Sequence, residues 1–207
     1  MERKIEKFFQ RWKEDKVRKP LLLFGLKQVG KTYTVLEFGR KNYKNIAYFN
    51  TLHNEELLKV LKKERSIARL VNVLADLADV PIEKNDTLII FDNVEDEEII
   101  KSIKLFGFDR NDYHVIAITS RRENLVKFSS EELQYKFMTE MDFEEYLWAR
   151  DEKELADLIR KSYQNKKACS KHAKIMDLFY DYLLTGGFPE VVKESFQSIS
   201  EFLTCCY

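Results

Sequence analysis

The chain has 207 residues, of which 44% are hydrophobic and 13% aromatic, and its 35 Lys and Arg balance 35 Asp and Glu. That apolar content suffices for a core and excludes wholesale disorder, while the zero net charge excludes a generally basic coat for nucleic acid or membrane. With domains commonly near ~100–150 residues, the length fits one substantial domain and an appendage.

Glycine (6) and proline (3) are scarce, which favours long helices over a turn-dense β-sandwich. The opening residues MERKIEKFFQRWKEDK contain no apolar leader, and no stretch approaches the ~18 apolar residues of a membrane span. Cys169, Cys205 and Cys206 form no disulfide framework, so a reduced, cytoplasmic protein is expected.

Ile5, Phe8, Phe9 and Trp12 recur at helical spacing, predicting an amphipathic helix that ends near Pro20. The apolar run Leu21 to Phe24, cut by Gly25, suits a strand buried on both faces. Similar runs follow at Ile46–Phe49, Leu88–Phe91 and His114–Ile118, with a weaker one at Tyr135–Met138. Between them lie helical stripes: Ile67, Leu70, Val71, Leu74 and Leu77, then Ile99, Ile100, Ile103 and Leu105. Strands alternating with helices predict βαβ crossovers and a layered α/β domain. From 142 on the pattern is purely helical, over 142–164, 171–185 and 189–204. The expected domains are therefore a core at 1–141, with 1–19 as its N-terminal helix, and a small helical appendage at 142–207.

Gly25-Leu26-Lys27-Gln28-Val29-Gly30-Lys31-Thr32 fits G-x-x-x-x-G-K-[ST], the P-loop or Walker A pattern, between a buried strand and the helical pattern Tyr33–Lys41. Gly25 and Gly30 are expected to adopt backbone angles that let successive N–H groups curl around phosphate oxygens. The next helix points its positive end at the same anion. Lys31 supplies a charge for the β/γ-phosphates and Thr32 a hydroxyl for Mg²⁺. Lys27, Gln28, Val29 and Tyr33 complete the expected nucleotide-contacting set.

A carboxylate for the metal belongs at the end of a neighbouring strand, and Asp92 stands there after Leu88-Ile89-Ile90-Phe91. Asn93 follows, where hydrolytic relatives of this architecture carry a water-activating Glu; Asn orients water but accepts no proton at neutral pH. Glu95 or Asp96 could stand in, or be solvated charges. Ser120 or Thr119, at the end of the fourth strand, is the candidate to reach the γ-phosphate or the water, with an ST-type turn as the alternative. Arg110, Arg121 and Arg122 are candidate transition-state stabilisers or ordinary surface charges.

With these pieces in place, the sequence resembles a prokaryotic family of AAA-type ATPases that carry a AAA core and a poorly characterised C-terminal domain. The likeness rests on Lys27-Gln28-Val29-Gly30-Lys31-Thr32, Tyr48 to Leu52, Leu88 to Asp92 with the strand ending at Ser120, Met141 to Tyr146, and Leu183-Leu184-Thr185-Gly186-Gly187-Phe188-Pro189-Glu190. It implies a three-layer P-loop NTPase fold, with a five-stranded parallel sheet in the order 5-1-4-3-2 and a C-terminal helical lid. It also implies ATP and Mg²⁺ as ligands, with ATPase activity. Leu26 replaces the family's usual Pro, Asn93 replaces its Glu, and the Gly-Arg pair usual before Met138 is missing. Members run longer, so their C-terminal domain is expected to be absent here.

Three functions are weighed. The first is an ATP-dependent conformational switch, in which nucleotide closes core and lid. The second is a nucleotide-binding regulatory or scaffold module with little hydrolysis. The third is a small-molecule kinase, for which no acceptor pocket is evident. A homo-oligomer or a protein client are the partners considered. DNA contact through Lys13, Lys16, Arg18 and Lys19 is the lesser reading of a helix end that complements its own dipole. A zinc site from Cys169, His172, Cys205 and Cys206 is disfavoured because adjacent cysteines chelate one tetrahedral ion poorly.

Overall fold

The computed structural model describes residues 1–52, 54–107, 112–121 and 131–195. They form two compact units. One comprises Ile5–Lys27 and Lys31–Met138, and it contains the sheet. The other comprises Met1–Lys4, Gln28–Gly30 and the chain from Thr139 onward, and it is helical.

In the sheet unit the elements run α1 (Glu6–Glu14), β1 (Leu21–Phe24), α2 (Lys31–Asn42), β2 (Asn45–Asn50), α3 (Glu55–Lys63), α4 (Ile67–Ala78), β3 (Thr87–Asp92), α5 (Glu97–Leu105), β4 (His114–Thr119) and β5 (Gln134–Phe137). All five strands are parallel, in the order β2-β3-β4-β1-β5. This is the expected 5-1-4-3-2 order read from the other edge. The apolar runs explain the placement: every residue of β1, β3 and β4 is buried, as central strands covered on both faces must be. The edge strands β2 and β5 are only partly covered.

One face of the sheet, with Leu22, Ala47, Phe49, Ile89, Phe91, Val115 and Ala117, packs in a core with Leu57 and Leu61 of α3, Leu70, Val71 and Leu74 of α4 and Ile99, Ile100 and Ile103 of α5. Each such fully buried aliphatic side chain contributes roughly 1.5–3 kcal/mol of burial free energy. Leu77 of the expected stripe is exposed, and Phe106 rather than Leu105 is buried after α5. On α2, Gly39 lets the helix approach the sheet, since a Cβ there would lie 2.8 Å from Ile46 Cδ1 and 3.2 Å from Leu88 Cδ2. Phe9 of α1 packs against Phe38 of α2 with ring centroids 5.2 Å apart.

Two helices of the sheet unit depart from the sequence expectation. Helix α1 stops at Glu14, well before Pro20: Asp15 is extended, and the Arg18 guanidinium donates to the Lys13 carbonyl 2.7 Å away. Lys13 in turn donates to the Asn42 carbonyl at 2.6 Å and lies over the Tyr43 ring, so half of the basic group at this helix end is occupied by the fold itself. The other is α3, which has no counterpart among the expected helices. Asn54 caps it by accepting from the Leu57 N–H at 3.0 Å, a cap followed by an i, i+4 leucine pair.

The helical unit contains α6 (Phe143–Ala149), α7 (Lys153–Gln164) and α8 (His172–Thr185), with residues 189–195 also helical. The expected continuous helix over 142–164 is broken at Arg150–Glu152, where Asp151 has φ +59°. A capping box starts α6: Asp142 accepts from the Glu145 N–H, and the Glu145 carboxylate accepts from the Asp142 N–H. Leu147, Leu155, Ala156, Ile175 and Leu178 form this unit's core. Gly186 ends α8 at φ +67°, and Gly187 lies against Met141, whose N–H donates to the Gly187 carbonyl at 2.8 Å. A Cβ on Gly187 would sit 2.2 Å from the Met141 carbonyl oxygen, which explains the second glycine of the pair.

At the amino end of β4, His114 is buried against Trp12, accepts from the Tyr43 hydroxyl at Nδ1 and faces the Asn85 amide oxygen at Nε2. Burial first, then the Arg18 and Lys13 charges, push its pKa from 6.5 down to about 3. Between those two values the unfolded chain takes up a proton that the folded imidazole refuses, so stability falls as pH drops through that window. Urea midpoints measured from pH 7 to pH 4 are expected to fall less for His114→Gln than for the wild type.

Candidate nucleotide-binding site

The loop leaves the carboxyl end of β1, where Gly25 needs its missing side chain for space rather than for backbone freedom. A Cβ there would lie 2.2 Å from the Met138 carbonyl oxygen, and the Met138 N–H donates to the Phe24 carbonyl at 2.7 Å. Gly30 has the expected left-handed backbone (φ +89°), whereas the one expected at Gly25 falls instead on Gln28 (φ +68°). Leu26, Lys27 and Gln28 are exposed and Val29 is fully buried, so the crest turns one apolar side chain inward. Tyr33, in the first turn of α2, is half exposed.

Lys31 is buried, and its ammonium donates to the carbonyls of Gly25 (2.8 Å) and Leu26 (2.6 Å). Burial lowers its pKa, Lys27 adds to that, and the Asp92 carboxylate opposes it. Lys31 therefore folds back over the start of its own loop.

The neighbouring residue looks across the sheet. Thr32 Oγ1 donates to Asp92 Oδ2 at 2.8 Å, bringing together the two groups expected on a magnesium ion. Hydroxyl and carboxylate oxygens are hard donors, so this pair fits Mg²⁺. Asp92 is buried at the end of β3, and its carboxylate is held from two further sides: Oδ2 accepts from the Tyr48 hydroxyl at 2.9 Å and Oδ1 from the Asn93 N–H at 2.8 Å. Burial, the hydrogen bond to Asp92 and the charge of that carboxylate push the Tyr48 phenol up to about 12. Tyr48 was not among the expected site residues. Its place follows from the β2–β3 register, which sets Asn50 beside Asp92, and register is not written in the sequence of either strand alone.

Asn93 has φ +58°, a conformation that Asn tolerates better than Glu. Its Nδ2 donates to Asn50 Oδ1 at 3.1 Å, and Thr51 Oγ1 donates to the Asp92 and Asn93 carbonyls at 3.0 and 2.8 Å. Glu95, the alternative base, is paired with Arg121 at 2.8 Å, so two of the weighed residues occupy each other. Thr119 Oγ1, not Ser120, makes the turn after β4 by accepting from the Arg121 N–H at 3.1 Å; Ser120 follows half-buried. Arg110, Arg122 and His53 lie outside the described residues, as do Cys205 and Cys206. Cys169 is a half-buried free thiol, and no cluster of three or more metal-ligating side chains occurs among the described residues. No helix among them is long and apolar enough to cross a membrane.

A family model described as "AAA domain" matches residues 17–147, well over half of the chain. The chain belongs to that AAA family. Among solved structures, this AAA chain is similar to Drosophila ORC bound to DNA, at 15% sequence identity and a TM-score of 0.51. The match covers 91% of this chain and 57% of the other, and it supports the shared fold. No curated protein matches the sequence. Membership of the family makes this an AAA-type, nucleotide-binding ATPase fold, with the loop at 25–32 in the position the motif requires.

Substitutions at two positions probe the backbone of the site in this AAA domain. Gly25→Ala is expected to cost about 1–3 kcal/mol, as overpacking against the backbone does, and to lower the thermal midpoint. At Asn93, Gly should be near neutral, whereas Ala and Glu should each cost about 1 kcal/mol for an L-residue forced left-handed. Urea unfolding of the three variants measures this ranking.

Proposed function

We propose that the chain binds ATP with Mg²⁺ at residues 25–32, that binding acts as a conformational switch, and that hydrolysis is slow. The observation that carries the reading is the Thr32–Asp92 hydrogen bond at 2.8 Å, which supports these two oxygens as the metal's protein partners. A bound Mg²⁺ would neutralise phosphate charge there. Lys31 is the charge for the β/γ-phosphates, with the amides of the Gln28–Gly30 crest and the amino end of α2 around the same anion. Gly25, Lys27, Val29 and Tyr33 shape or border that place.

The switch is local in origin. The Lys31 ammonium is held by the Gly25 and Leu26 carbonyls. A phosphate oxygen that draws it away frees both carbonyls and changes the conformation of the loop. Slow turnover follows from the end of β3: Asn93 accepts no proton, and Glu95 is engaged in an ion pair with Arg121. The positive φ of Asn93 favours the neighbouring reading, a regulatory module that binds nucleotide and scarcely hydrolyses it.

Calorimetry with ATP tests both. Lys31→Ala is expected to weaken ATP by about tenfold or more, the scale of a lost charge-assisted hydrogen bond. Thr32→Val should lower affinity in the presence of Mg²⁺ and leave it unchanged in EDTA. Steady ATP release of phosphate by the wild type, abolished in Lys31→Ala, would select the switch over the silent module. No ATP affinity in the wild type would end both readings.

A further inference from the structure

Arg3 stands near the start of the chain, in a run of charges that reads as a solvated surface, yet it is buried. Its guanidinium reaches three segments of the helical unit. Nη1 donates to the Val29 carbonyl at 2.7 Å, Nη2 donates to the Thr139 carbonyl at 2.7 Å, and Nε lies 3.2 Å from Glu145 Oε2. Glu145 is buried as well, and its other oxygen accepts from the Lys4 N–H at 2.6 Å. A buried guanidinium needs such a partner, because an uncompensated buried charge is strongly destabilising. A planar fork spreads its donors over three separate nitrogens, whereas Lys offers all of its N–H groups from a single point.

We propose that Arg3 is a positioning residue of the phosphate loop: held by Glu145, it fixes the Val29–Gly30 peptide plane so that the Gly30 N–H is presented to a nucleotide phosphate. The proposal rests on the nucleotide-binding reading above and deepens it. In a trans peptide the carbonyl and the following N–H point to opposite sides of one plane. Fixing the Val29 carbonyl on Arg3 therefore aims the Gly30 N–H directly away from Arg3. The plane needs an external clamp because Gln28 and Gly30, on either side of Val29, are both left-handed, and Gly30 has no side chain to resist rotation. A charged donor on the carbonyl also polarises the amide and strengthens its N–H as a donor. The buried Val29 side chain and the Arg3 fork thus hold the crest of the loop from behind.

The test uses the full chain and ADP with Mg²⁺. Arg3→Met combined with Glu145→Gln removes both buried charges while Gln keeps the helix cap. The double variant is expected to fold, to bind ADP about tenfold or more weakly than the wild type, and to shift the Gly30 amide signal of ¹⁵N-glycine-labelled, nucleotide-free protein. Unchanged ADP affinity overturns the proposal, and so does weakened affinity with an unmoved Gly30 signal. Should the double variant fail to fold, Arg3→Lys keeps the charge but not the fork; it should shift the same signal and weaken ADP, and unchanged values overturn the proposal equally. If the wild type itself binds no ADP, the nucleotide reading fails first and takes the proposal with it.

Discussion

Everything at the candidate site depends on one hydrogen bond between residues 60 positions apart, from the Thr32 hydroxyl to the Asp92 carboxylate. It exists because β1 and β3 are both central strands of a parallel sheet and end on the same side. Their burial is set by apolar runs that leave no polar residue before Gly25 in one case, and before Asp92 in the other. Hydrophobic packing thus delivers a hydroxyl and a carboxylate to a common point, and the chemistry of that point is a consequence of strand order.

The surrounding polar groups restrain rather than react. Tyr48, Thr51 and the Asn93 N–H converge on the Asp92 carboxylate and its backbone, so the buried acid is held by hydrogen bonds from several sides. Asn93 belongs to this scaffold: its left-handed backbone and its bond to Asn50 account for the residue type on conformational grounds. The departure from a catalytic glutamate is then a property of the chain's path after β3 as much as of its chemistry.

Much of this was legible in the sequence because it is local. The buried strands announce themselves as short apolar runs, and the loop motif lies entirely within eight consecutive positions. What stayed hidden depends on distance in sequence. Gly25 is there for Met138, which arrives only when β5 pairs with β1. Tyr48 meets Asp92 through register, and Arg3 meets Val29 and Thr139 across 26 and 136 positions. Helix α3 is hidden in the sequence for a different reason. Its nine residues present only two buried leucines among charges, a pattern too short to separate from a loop without its Asn54 cap.

The glycine at 187 has a practical corollary for dissecting this chain. Its carbonyl and the Tyr182 hydroxyl both bond back to Met141, so the last helices of the unit are buttoned to the segment from which the first one springs. A cut placed just after α8 keeps the Tyr182 hydroxyl but removes the Gly187 carbonyl that the Met141 N–H bonds to, whereas a cut beyond residue 195 keeps both bonds. Fragments intended to isolate either half should be drawn with that seam in mind.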